Sequence, residues 1–223
     1  HHQLALPLDA GFTMREILLG VPHFSQPSPS KNPGGDCFAC ALTAVVRYLY
    51  PERPVEFNTV WEAFKVEAYG GGKVLSNIWP TMRSAAYALR GEGYRMEVRH
   101  DLVIPVFDVD MFSHCWWHSV PVDEWAYRLE AWLSAGWVAL AEVDFAGIGL
   151  MNAEGRFNTS DHFVVLDGQR HYWKPHDKVS GASSLEHDTH VVCSVKGEYW
   201  IDSQDLLVKY GTAGLLLLRK DSR

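Results

Sequence analysis

The chain has 223 residues with 20 Lys and Arg against 27 Asp and Glu, a formal net charge of −7, and no basic stripe from which counterion release would draw affinity for nucleic acid. Its 47% hydrophobic and 21% charged content describes a globular protein and excludes a disordered, collagenous or coiled-coil chain. The longest apolar stretches, 102–107 and 214–218, fall far short of the roughly 20 residues that cross a bilayer, so no membrane association is expected.

The N-terminal residues begin with a His pair and lack a basic segment followed by a continuous apolar one. No signal peptide is therefore expected, and residues 1–13 are set apart as a tail ahead of Met14. Residues 14–223 read as one domain, because no Pro/Ser-rich or charged linker divides them. The expected location is the cytoplasm, with export by a non-classical route as the alternative.

From Asp36 to Tyr50 the apolar residues Phe38, Leu42, Val45, Val46 and Leu49 recur at the spacing of an amphipathic helix. Asp36 suits its N-cap, which sets Cys37 in the first turn, and Pro51 stops it. A second stripe, Ile78, Met82, Ala85, Ala86 and Leu89, follows Gly70, Gly71 and Gly72. That glycine run lacks the spacing of a phosphate loop and reads as a flexible connection. Trp125, Leu129, Trp132 and Leu133 predict a third helix.

From residue 138 the pattern turns to short β-like runs at 138–143, 162–166, 190–195 and 215–218, bounded by Gly, Asn and Asp. Asp167 and Gly168 suit a tight turn after the second run. Helices first and strands later, without regular alternation, predict an α+β fold with a helical part packed on an antiparallel sheet.

Four cysteines, Cys37, Cys40, Cys115 and Cys193, are too few and too scattered for a disulfide scaffold; they read as thiols in a reducing compartment. Chemistry concentrates on two residues. Cys37 sits where the amides and dipole of a helix N-terminus stabilise a thiolate, and His162 opens a late strand. The alternative is a core Cys and an unrelated strand-end His, since Cys is among the most buried residue types. His114, Cys115 and His118 would make a metal pair with one thiol on a helix, but no fourth ligand accompanies them, and neither a metal nor a cofactor is assigned. Trp61, Trp125 and Trp132 fall at helical core positions, while Trp79 and Trp137 lie beside turns, where they are freer to line a site.

Three blocks in order carry a resemblance: Val21-Pro22-His23-Phe24-Ser25-Gln26, then Asp36-Cys37-Phe38-Ala39-Cys40-Ala41, then Asp161-His162-Phe163-Val164-Val165-Leu166-Asp167-Gly168. The trio resembles the papain-like cysteine peptidases, nearest in flavour to the bacterial C39-like and AvrRpt2-like groups. The resemblance implies a papain-like fold and thiol catalysis on a peptide or protein substrate. Cys37 would be the nucleophile, His162 the base and then the acid, and Gln26 the oxyanion donor. Phe38 favours Cys37 over Cys40, because a Cys followed by an aromatic and small residues matches the family register. Gln26 lies eleven residues before Cys37, farther than in the family. The residue that orients the imidazole is Asp177 if residues 170–174 form the next strand, or Ser194 if that strand is 190–195. The expected activity is amide hydrolysis through a thioacyl intermediate. The alternatives are acyl transfer or amidase chemistry with the same pair, and a non-catalytic binding module of the same fold.

Overall fold

In the computed structural model the described residues are 14–25, 37–68, 78–101, 103–105, 118–143, 162–175, 183–209 and 213–222. The helices are α1 (Cys37–Leu49), α2 (Phe57–Ala68), α3 (Ile78–Ala88) and α4 (Val122–Ser134). The strands are β1 (Met14–Leu18), β2 (Met96–Asp101), β3 (Val103–Pro105), β4 (His118–Val120), β5 (Val138–Val143), β6 (His162–Pro175), β7 (Ser183–Cys193), β8 (Gly197–Asp202) and β9 (Ala213–Lys220). The architecture is α+β: seven strands form one antiparallel sheet, six of them in the order β2-β9-β5-β6-β7-β8 with β1 pairing to β6 off that path, and β3 and β4 pair in parallel beside it.

β6 is the spine of the sheet. Its first half, from His162 to Leu166, pairs with β5; its second half, from Gly168 to Tyr172, pairs with β1, so β1 continues the lane that β5 leaves. β7 runs along the opposite edge from Val165 to Pro175. Asp167 and Gly168 are therefore not a turn. They lie inside β6, where the β6–β7 register shifts between Leu166 and Gly168, a bulge that the alternating pattern conceals. Gly168 is required there, because a Cβ would stand 2.7 Å from the Cβ of His190 and 2.9 Å from Leu18. The turn chemistry of an Asp-Gly pair is overridden by two strands that can satisfy the backbone on both sides.

Strand alternation sends side chains of the central strands to two cores. On one face Phe163, Val165, Leu140 and Leu216 meet α1, α2 and α3; on the other Val164, Leu166, Ala139 and Leu217 meet α4. α1 is buried from Cys37 through Val46, more than the predicted stripe, because α2 covers its outer side with Val60 and Phe64. Each fully buried Leu, Val or Phe contributes about 1.5–3 kcal/mol, which makes α1 the anchor of its face. α2, at 57–68, repeats the same logic: Phe57, Val60 and Phe64 follow i, i+3, i+7. The third predicted stripe is α4, whose Trp125, Leu129 and Leu133 are all buried.

Trp137 does not line a site. It is 5% exposed, packs edge-on against Trp132 at 6.0 Å, and carries the Arg219 guanidinium over its ring. Cys37, Cys40 and Cys193 are all unbridged thiols. No helix among the described residues is long and apolar enough to cross a membrane.

Candidate active site

Cys37 opens α1, and Phe38 fixes where that end of the helix lies. The Phe38 ring packs edge-on against Phe64 at 5.1 Å and Phe163 at 6.0 Å, clamping the first turn of α1 to the first turn of chain in β6. The Cys37 sulfur is thereby brought to the main-chain N–H of Phe163, and the amides of Phe38 and Cys37 itself also bear on it. These amides favour the thiolate, as a helix N-terminus does. Burial opposes them and wins, with the Glu142 carboxylate adding to it, so the thiol is pushed up to about 11.

His162 is the residue next to Phe163 and the first of β6. Its Nε2 lies 3.2 Å from the sulfur of Cys193, the last residue of β7. Burial, with the nearby Lys196 charge, pushes the imidazole down to about 4. The same Cys193 sulfur accepts the main-chain N–H of Lys196 at 3.4 Å, from the turn that leads into β8. At neutral pH the Cys37 thiol and the His162 ring are thus both uncharged. The two expected partners reach consecutive residues of one strand: Cys37 through the main chain at Phe163, His162 through its own ring.

The other expected residues divide. Gln26 and Asp177 lie outside the described residues, as does Asp36. Ser194 stands in the turn after β7, one residue beyond the side chain that bonds His162. The strand whose end meets the ring is β7, Ser183–Cys193, and the atom at the ring is the sulfur of Cys193. His114 and Cys115 lie outside the described residues; His118 is the first residue of β4. Among the described residues no group of three His, Cys, Asp or Glu could hold a metal ion.

Two residues escaped the sequence reading. Cys193 was legible only as a thiol, because one residue of register decides whether Cys193 or Ser194 faces the ring. Glu142 carried a signal, a lone carboxylate inside the apolar strand Val138–Val143. It is 4% exposed at a register shift in the β5–β9 pairing, a device that re-aims side chains beside sites.

No protein-family model matches the chain, and no curated protein matches it.

Proposed function

We propose that the protein is a papain-like cysteine hydrolase that cleaves a peptide or isopeptide bond through a thioacyl intermediate. The observation that carries the reading is the main-chain bond from Phe163 to the Cys37 sulfur, which joins a thiol in the first turn of α1 to the strand that His162 begins. The resting pair is a neutral thiol and a neutral imidazole, so in this scheme the proton moves only as the sulfur attacks. The Cys37 proton passes to His162 as sulfur attacks the carbonyl carbon. The C–N bond then breaks, and the imidazolium returns the proton to the leaving amine. Water, deprotonated by His162, attacks the thioester and releases the acid with the thiol restored. The amides around the sulfur are suited to receive the oxyanion, and Gln26 is the proposed side-chain donor. No cofactor enters this scheme. A peptide or protein is the proposed substrate, in the cytoplasm, and an amine in place of water makes the same intermediate a route to acyl transfer.

A second reading has its own support. A thiol raised to about 11 beside a buried carboxylate suits a domain that binds without reacting. The test is intact-mass detection of an acyl adduct after mixing with activated acyl esters and a peptide library. The expected result is an adduct on Cys37 that Cys37→Ala abolishes and His162→Ala slows by 100-fold or more, both variants retaining the wild-type unfolding transition. An unchanged adduct yield in Cys37→Ala would rule out the hydrolase and leave the binding module.

A further inference from the structure

Beyond Gly168, the face of the β6–β7 ribbon that carries α4 buries polar groups where the rest of that face buries Val and Leu. Gln169, Thr189 and Ser203 have no exposed surface and bond to one another: Thr189 Oγ1 donates to Gln169 Oε1 at 2.8 Å, Gln169 Nε2 donates to Ser203 Oγ at 3.2 Å, and the two hydroxyls stand 2.8 Å apart. That layer is neutral. Two residues farther along each strand, on the same face, the next layer is titratable. His171 and His187, both buried, approach Nδ1 to Nδ1 at 2.6 Å, and each Nε2 faces a carboxylate of α4: Glu130 at 2.7 Å from His171 and Asp123 at 3.1 Å from His187. Tyr127, one turn from both acids, stacks on His171 at 4.7 Å and lies edge-on to His187 at 5.3 Å. From β1, Arg15 pairs with Glu130 at 3.0 Å and lies over the Tyr127 ring; from β7 itself, Glu186 adds a further negative charge felt by His187.

Proton counting fixes what this cluster can hold. Two ring nitrogens at 2.6 Å need one proton between them: with none, two lone pairs meet, and with two, N–H meets N–H. Each Nε2 is favoured as N–H, because a bare lone pair there faces negative charge. Three protons on the four nitrogens therefore satisfy every contact, and the pair becomes one shared cation between two carboxylates. A fourth proton has no place except between the Nδ1 atoms, where it sets two imidazolium charges side by side in a buried site. We propose that His171 and His187 form an acid-sensitive clasp on α4: the three-proton pair fastens Asp123, Tyr127 and Glu130 to the β6–β7 ribbon, and uptake of the fourth proton opens it. Burial and the His171 charge hold the His187 ring below its ordinary value, so the closed clasp resists that proton. A released ring takes it at about 6.5, so opening is favoured as pH falls below that value. α4 is placed for the opening to matter. Its Trp125, Leu129 and Leu133 share a core with Val164 and Leu166, the stretch of β6 that follows His162. The clasp stands independently of the hydrolase reading.

The experiment is amide hydrogen exchange of the full chain at pH 7, 6 and 5, read by mass spectrometry and expressed as protection relative to an unstructured peptide, so that the pH dependence of exchange itself cancels. In wild type the amides of 122–134 should lose about tenfold or more of their protection between pH 7 and 5, while those of 37–49 keep theirs. His187→Gln leaves no second ring to charge and should hold the protection of α4 constant over the same range. Asp123→Asn, at a side chain 75% exposed, removes a charge that favours protons on His187, so the loss should move to lower pH. The asparagine variant decides if the glutamine variant does not fold. In nitrogen-labelled wild type at pH 7, one far-downfield ring proton should couple to the Nδ1 atoms of both histidines and vanish as α4 opens. Absence of that shared proton overturns the clasp, as does α4 protection that does not change with pH. So does a loss that His187→Gln reproduces or that Asp123→Asn leaves in place. A loss shared equally by α1 is global unfolding and overturns it as well.

Discussion

Two histidines on the β6–β7 ribbon are held by opposite kinds of partner. His190 Nδ1 lies 2.6 Å from Oδ1 of Asp167, a carboxylate with no exposed surface, while His162 Nε2 lies 3.2 Å from a thiol. The other oxygen of Asp167 accepts the Val21 N–H at 2.8 Å, and its main-chain carbonyl accepts Leu19 N–H at 2.8 Å. The carboxylate thus ties β6, β7 and the segment after β1 into one joint, with Trp200 edge-on to the His190 ring at 4.9 Å. The short contact to a carboxylate serves the scaffold, and the longer contact to a thiol stands at the candidate site.

The far end of the ribbon holds a third arrangement. His171 Nδ1 and His187 Nδ1 are 2.6 Å apart, so one proton lies between them, and Tyr127 stacks on His171 at 4.7 Å. Glu130 stands 2.7 Å from His171 Nε2 and Asp123 3.1 Å from His187 Nε2, at ion-pair distance but off the hydrogen-bond axis. Burial by itself raises the Glu130 carboxyl, yet His171 and Arg15 hold it below its ordinary range. α4 is fastened to the sheet through this cluster as well as through its apolar face.

The largest expected effect comes from breaking the joint at Asp167. Asp167→Ala removes the partner of His190 and leaves the Val21 amide buried without an acceptor, and breaking a buried pair in this way costs about 3–5 kcal/mol. Chemical denaturation should show that loss, with the slope against denaturant unchanged if the native state keeps its compactness. A loss under about 1 kcal/mol, no more than a surface pair would give, would mean that the joint carries little and that the contrast with His162 is one of geometry only.

Acidification separates the couples by a second route. His162 has a folded value of about 4 against 6.5 for an unperturbed ring, so the unfolded chain binds more protons between those limits. Stability therefore falls as pH drops from 6.5 toward 4 and this group adds nothing further below, a total of about 3 kcal/mol. His187, lowered by burial and by the His171 charge, acts in the same direction. On the alkaline side Cys37 works in reverse: stability present below 9 is lost as pH rises toward 11. His162→Gln should flatten the acid limb while leaving the alkaline one; an acid limb of unchanged depth would assign it to His187 and the carboxylates instead.

Much of this architecture is legible in local patterns, and what is missed has one cause. α1 reads from Phe38, Leu42, Val45 and Val46, and β5 reads to the residue as 138–143, because each buries a face that its own sequence spells out. β6 does not. Its continuation past Gly168 depends on β1, whose Leu18 pairs with Gly168 across some 150 positions, and no local pattern announces a partner so distant. The same dependence hides the site. Cys37 and His162 are visible as residue types at a helix start and a strand start, whereas Cys193 and Glu142 acquire their roles from a register between strands.

The smallest expected effect is the most local. Glu142 pairs across the sheet with Phe163, whose N–H bears on the Cys37 sulfur, and its carboxylate raises that thiol. Glu142→Gln removes the charge with little change in volume, so the fraction of thiolate at a given pH should increase. Burial, the larger cause, remains, so the gain in Cys37 alkylation by iodoacetamide at pH 8 should be severalfold and stop short of the reactivity of a free thiol near 8.5. Mass spectrometry at each cysteine makes the comparison internal, because Cys40 on the next turn of α1 is also buried and should not respond. If Cys37 and Cys40 gain alike, the substitution has loosened α1 against the sheet. If neither gains, desolvation alone governs the thiol, and the resting neutrality of the Cys37–His162 region is a property of its depth beneath the helices, owing nothing to the charge across the strand.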